Sequence, residues 1–211
     1  MSTETSPPRR RYEKRARATK EHETRQRIVE AALALHGTVG PARTTISAIA
    51  EHAGVRRATV YRHFPDERAL FMGCSGAWRE RNPLPDPATW APIADPAARV
   101  EAALDALYGW YEQAEPMLSA VLRDIDAVPI IAELQAGRRA YLAYVEDGLV
   151  AGWGARGKAA ARLRATIGLA LDFFTWRTLD ERGLGRGDAM AVMCSAVRAA
   201  AATGRESPLP A

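Results

Sequence analysis

The 211 residues are 47% apolar and 26% charged, with a net charge of +4, which is enough apolar material for a folded core and too much for a disordered chain. No run approaches the roughly 18 uninterrupted apolar residues of a membrane span, and the polar, basic start lacks the apolar stretch of a secretory signal. Cys74 and Cys194 stand far apart with no CxxC or Cys/His cluster near them, so neither a disulfide framework nor a metal site is expected and a reducing cytoplasm fits best.

The charge is uneven. Residues 1–74 hold 14 Lys+Arg against 8 Asp+Glu, a balance of +6, and the remainder holds 15 against 17, a balance of −2. A basic front on a near-neutral body points to a polyanion partner for the front. Residues 1–22 have almost no apolar side chains, so a disordered basic arm is expected there, with Arg9, Arg10, Arg11, Lys14, Arg15, Arg17 and Lys20 as its basic run. Such an arm fits a minor groove or a row of phosphates. A plain solvated tail would have the same composition.

A first structured domain is expected over 23–82. Thr24 is placed to cap a helix whose Ile28, Ala32 and Leu35 recur at helical spacing, and which Gly37 and Gly40-Pro41 end. Thr44 and Thr45 precede a short helix with Ile46, Ile49, Ala50 and Ala53 on one face. Gly54 stops it, and a second short helix over 56–62 ends at Phe64-Pro65. Asp66 caps a further helix carrying Leu70, Phe71, Cys74 and Trp78 inward.

The stretch 45–64 has helix-turn-helix spacing. Two helices crossing closely need a small residue, a turn glycine and an apolar residue facing back, and Ala50, Gly54 and Val60 stand at 0, +4 and +10. The outer face of the second helix is then Arg56, Arg57, Thr59, Arg62 and His63, with Tyr61 at its flank and no acid. Such a helix suits the ~12 Å major groove, where Arg pairs with guanine and Thr, Tyr or His meets phosphates or thymine methyls. An αα-hairpin with a solvated basic face shares the bare spacing.

Asn82 to Pro96 contains five prolines and is expected to be a linker over 83–96. A larger helical domain is expected over 97–204, with 205–211 as a tail. Its helices read as one from Asp95-Pro96, a short one near 117–126, and longer ones near 130–150, 158–181 and 188–202, broken by glycines. No strand, phosphate loop or repeat emerges, so the chain reads as all-α.

Residues 24–72 resemble the DNA-binding domain of TetR/AcrR-type bacterial transcriptional regulators. The matching positions are Ala31-Ala32-Leu33, Leu35, Gly40, Thr44-Thr45-Ile46, Ile49-Ala50, Ala53-Gly54-Val55, Thr59-Val60-Tyr61, His63-Phe64 and Ala69-Leu70. They cover about a quarter of the chain. The resemblance implies Thr59 and Tyr61 as DNA contacts and Thr44 and Thr45 as a cap near a phosphate. Three positions depart from the family. Arg56 stands where Ser usually caps the recognition helix, so another group is expected to satisfy its amides. Glu67 stands where a Lys often reaches a phosphate, with Arg68 beside it. His36 replaces an aromatic, as a packing variant.

The resemblance also implies a homodimer through the last two long helices, 158–181 and 188–202, on a palindromic operator with half-sites about 34 Å apart. It implies a small, commonly apolar effector in the C-terminal domain. The candidates to line its site are Tyr108, Trp110, Tyr111, Arg123, Tyr141, Asp172, Phe173 and Trp176, Asp172 as a carboxylate in an apolar run. Plain aromatic core is the competing reading of these residues. No cofactor is implied. The expected function is a ligand-responsive DNA-binding regulator, a repressor in most of the family. Against an enzyme, no catalytic or metal-ligand constellation appears, and all four histidines, His22, His36, His52 and His63, lie in the front part. A non-specific nucleoid-type DNA binder, or an adaptor that has lost DNA binding, would share the same basic front.

Overall fold

The computed structural model describes residues 8–202, with side chains from Tyr12 onward; residues 1–7 of the expected arm and the expected tail lie outside the described residues. Helices make up the structure and no strand occurs among the described residues. They are α1 Pro8–Thr38, α2 Ile46–His52, α3 Arg57–His63, α4 Glu67–Arg81, α5 Pro96–Arg123, α6 Pro129–Leu134, α7 Ala136–Val150, α8 Gly157–Leu171, α9 Phe173–Glu181 and α10 Arg186–Ala202.

The chain divides into two units. The first comprises residues 1–81 and 116–134, the second residues 82–115 and 135–211. The first unit ends its N-terminal segment at Arg81, and residues 116–134, which lie inside the range expected for the C-terminal domain, group with the first unit. The division falls inside α5 at Pro116, which is helical here. The sequence reading ends one helix before this proline. The structure keeps the helix and gives up one backbone bond, since proline has no N–H to donate.

In the first unit, α1 packs on α2, α3 and α4. Ile28, Ala32, Ile49, Val60, Phe64, Leu70 and Cys74 form its buried core. The helix expected from Thr24 begins instead at Pro8, and the Thr24 hydroxyl donates to the Lys20 carbonyl at 2.8 Å within it. The expected disordered arm is thus helical from Pro8. Its low apolar content argues against a core of its own. Its Ala, Arg, Lys and Glu residues are strong helix formers, and Glu13 with Arg17, and Arg17 with Glu21, stand four apart with opposite charge. Extending a helix already nucleated by packing is inexpensive.

Residues 116–134 bind the turn between α1 and α2. Asp124, 7% exposed, accepts from the Ala42 amide at 2.9 Å and from Arg123 Nε at 2.8 Å, while Arg123 Nη2 donates to the Val39 carbonyl at 3.2 Å. Gly40 sits at φ 92°, and a β-carbon there would meet Arg123 and Asp124. The Arg123 hydrogen bond, with the Ala42 amide in support, holds the Asp124 carboxyl below its ordinary range against the effect of burial.

In the second unit the expected linker is ordered. A short 3-10 turn, Pro87–Thr89, is capped by Asp86, Trp90 is buried, and the Pro85 carbonyl accepts from Tyr141 Oη at 2.8 Å. The expected helix over 130–150 divides at Gln135 into α6 and α7, and the one over 158–181 divides at Asp172 into α8 and α9. Asp172 has extended backbone and its carboxylate accepts from the Thr175 amide at 2.9 Å, capping α9. The break frees carbonyls at the end of α8. Two tyrosines one turn apart on α5 take them: Tyr108 Oη donates to Ala170 O at 2.9 Å and Tyr111 Oη to Leu171 O at 2.6 Å. Burial pushes both phenols up, so they stay neutral donors.

Candidate nucleic-acid interface

Thr45 has extended backbone and its hydroxyl accepts from the Ala48 amide at 3.1 Å, starting α2. Ile46, Ile49 and Ala50 turn inward from α2. At its end, Gly54 takes φ 64°, and the Val55 amide reaches back to the Ala50 carbonyl at 2.9 Å. That left-handed residue is what a turn of this kind asks for. Arg27 of α1 donates to the Ala53 carbonyl at 3.4 Å. The small side chain of Ala50 and fully buried Val60 set the approach of α2 and α3.

The outer face of α3 is cationic. Arg56, Arg57 and Arg62 are exposed, Tyr61 is 39% exposed, and Thr59 is half-buried. Arg57 lies 5.6 Å from the Tyr61 ring centre and its Nη2 donates to Tyr61 Oη at 3.3 Å. This i,i+4 pair holds a guanidinium and a phenol side by side on one turn. Arg56 occupies the N-cap with extended backbone and no side-chain cap bond. No capping side chain replaces the missing serine.

Two expected site residues, Thr44 and His63, are placed differently, and Arg68 beside Glu67 is engaged elsewhere. The Thr44 hydroxyl donates to the Gly40 carbonyl at 2.8 Å, so Thr45 alone caps α2. His63 is half-buried, with an Nε2 that is inaccessible and has no hydrogen-bond partner. Burial, then Arg62, lower its basicity, and Glu21 and Arg25 of α1 also act on it. It follows the inward turn of Phe64, whose ring lies under Arg25 at 4.6 Å. Arg68 does not replace the absent lysine, because both its terminal nitrogens engage Glu133 of α6, at 2.7 and 3.3 Å.

The expected effector residues do not form one lined site. Tyr108, Trp110, Tyr111, Phe173 and Trp176 are all buried in the second unit and packed ring to ring, with Tyr111 5.3 Å from Phe173 and 5.6 Å from Trp176. Tyr141 is half-buried and tied to Pro85. Asp172 is exposed, because the chain leaves the helix there and uses the carboxylate as a cap. Arg123 belongs to the first unit, on the turn before α2. A cavity of about 330 Å³ in the second unit is lined instead by Glu101, Met190, Cys194 and Arg198 among others. Sequence reading missed it because Glu101 and α10 are far apart along the chain, with four helices between them.

The family model described as bacterial regulatory proteins, tetR family, matches residues 28–73, from the buried part of α1 to the middle of α4. Over that stretch, 46 of the 211 residues, the chain is similar to the tetR family of bacterial regulatory proteins. A curated relative, the HTH-type transcriptional regulator AcrR of Shigella flexneri, is 45% identical over 58 residues, which is 26% of this chain and 27% of that protein. The match thus spans about a quarter of its length. Two solved structures share the fold over most of both chains. One is a protein assigned to the tetR-family transcriptional regulators of Mesorhizobium loti, at 17% identity and TM-score 0.59, covering 87% of this chain and 97% of that one. The other is a protein of Clostridium perfringens assigned as a regulator of fatty acid metabolism, at 15% identity and TM-score 0.57, covering 82% and 97%. The matched stretch contains Thr45, Gly54, Val60 and every exposed cation of α3.

Proposed function

We propose that this protein is a DNA-binding transcriptional regulator that acts as a homodimeric, ligand-responsive repressor. The observation that carries the reading is the outward face of α3: three arginines and Tyr61, with no acid, on a helix held by a capped α2 and a left-handed Gly54. A helix so presented fits the major groove, and Arg offers two parallel donors to guanine. The dimer reading is supported by apolar side chains left exposed on the last helices: Leu169 at 56%, Phe174 at 47% and Val192 at 46%. Exposed Ala196 and Ala199 follow Val192 at helical spacing on α10, a narrow seam suited to close helix packing. The effector reading draws its support from family likeness, since five of the six aromatic residues named for it, all but Tyr141, are buried and packed together.

Selection of bound duplexes from random DNA by the purified protein tests the proposal. A palindromic consensus with half-sites about one or a whole number of helical turns apart is expected. Arg57→Ala and Tyr61→Ala are expected to weaken binding of that consensus by about tenfold or more with unchanged thermal melts. Enrichment of no sequence, with affinity set by salt alone, identifies a nucleoid-type binder instead.

A further inference from the structure

The residues of α1 that pack on α2, α3 and α4 include fully buried Ile28 and Ala32, with Arg25 over the Phe64 ring. Eleven residues make close to three helical turns, so the positions eleven before Arg25 and Ile28 share their direction within about 20°. Those positions are Lys14 and Arg17. The stripe that is apolar where α1 meets its neighbours is therefore cationic where α1 runs past them. Arg15 and Lys20 stand beside it, against Glu13 and, at its inner end, Glu21 and Glu23, and residues 12–23 are exposed throughout. This overhang begins beside the C-terminal end of α3, where Glu21 and Arg25 act on His63.

Resting on the reading of the first unit as a DNA-binding domain, we propose that the α1 overhang is a helical phosphate rest. Lys14, Arg17 and Lys20 contact the DNA backbone beside the half-site that α3 reads, and they read no base. The geometry separates this from a minor-groove arm. A helix with its side chains is about 10–12 Å across, and the minor groove is about 6 Å wide, so a helical overhang stays on the ridge. From Tyr12 to Lys20 it is about 12 Å long, enough to lie beside about three phosphates of one strand. From Tyr12 to Lys20 its charge is opposite to that of the DNA backbone, with Lys14, Arg15, Arg17 and Lys20 against Glu13. Because it is already helical, it docks without the backbone ordering that a disordered arm undergoes.

The test uses the full chain and the duplex enriched from random DNA, with affinity measured by fluorescence anisotropy across salt concentrations. The triple variant K14Q/R17Q/K20Q is expected to lower the log–log salt slope by about 0.9 per lost contact, roughly 2–3 per bound copy, with an unchanged thermal melt. An unchanged slope overturns the proposal. Ala18→Pro keeps every charge but breaks the helix within the overhang, and it is expected to reduce the slope as well. A wild-type slope for Ala18→Pro assigns the contacts to a flexible arm and overturns the helical rest. Replacing A·T pairs by G·C in the flanks is expected to change nothing, and a loss of affinity there means minor-groove reading, which also overturns it. Absence of any duplex binding by the unsubstituted chain sinks the underlying DNA-binding reading, whereas the remaining outcomes leave that reading standing.

Discussion

Arg56 holds two roles that other residue types separate. Its backbone takes the N-cap conformation of α3, but its side chain makes no cap bond. Serine there would satisfy an amide of α3, worth about 1 kcal/mol. Arg56→Ser is therefore expected to raise the thermal melt of the protein. It is also expected to weaken binding of the selected duplex by about tenfold, the size of one lost base contact. A melt that rises with affinity unchanged makes Arg56 a bystander on the DNA-facing surface. His36 offers a second residue-scale test. It is buried, stacked on Phe71 with ring centres 5.1 Å apart, and burial lowers its pKa to about 4. The unfolded chain binds a proton at this residue near pH 6.5 and the folded chain does not, so stability falls as pH drops from about 6.5 towards 4 and is unaffected above that window. His36→Phe, which keeps the stack, is expected to flatten that fall in thermal melts between about pH 7.5 and 4.5. Both residues are departures visible in the sequence. What they do depended on the backbone of Arg56 and the ring beneath His36, and neither follows from spacing.

At the scale of elements, the α8–α9 break shows where periodicity misleads. The run from Lys158 to Glu181 has a continuous apolar pattern and no Gly or Pro between Leu169 and Glu181, so it reads as one helix. Asp172 stops it, because its carboxylate caps α9 and two phenols from α5 satisfy the carbonyls of Ala170 and Leu171. Those phenols stand 62 and 60 residues away in sequence, which no local pattern registers. Tyr111→Phe leaves the Leu171 carbonyl without its donor and is expected to cost about 1–3 kcal/mol in denaturant unfolding. Asp172→Ala is expected to cost about 1 kcal/mol, and the pair to be non-additive because both act on one break. The helix-turn-helix behaves oppositely. Its cap, turn glycine and apolar seam are short-range features, so Thr45, Gly54 and Val60 were legible in order. Gly54→Val is expected to lower the melt strongly, since a β-branched residue is a poor occupant of φ 64°.

At the scale of the whole molecule, the two units are interleaved in sequence, since the end of α5 and α6 return to the first. Asp124 and Arg123 bind the Val39–Ala42 turn, and Glu133 binds Arg68. Arg123 therefore reads as an effector candidate only while its partner is unknown. In the second unit, the exposed Leu169, Phe174 and Val192 predict self-association. Leu169→Glu with Val192→Glu is expected to convert a dimer to a monomer in sedimentation at micromolar concentration, because two buried charges facing their copies are not tolerated across an apolar seam. An unsubstituted protein that sediments as a monomer removes the dimer from the proposal.

The sequence by itself determined the all-α class and the helix-turn-helix with its cationic face. Each of these rests on residues within a few turns of one another, where helix period, caps and turn glycines act. Tertiary structure decided that the basic run from Pro8 continues α1, that His63 turns inward, that Asp172 is a cap, and that five of the six aromatic candidates are buried. Each of these depends on a partner far along the chain or on the packing around the side chain, and burial and hydrogen-bond satisfaction are set only when the chain has folded.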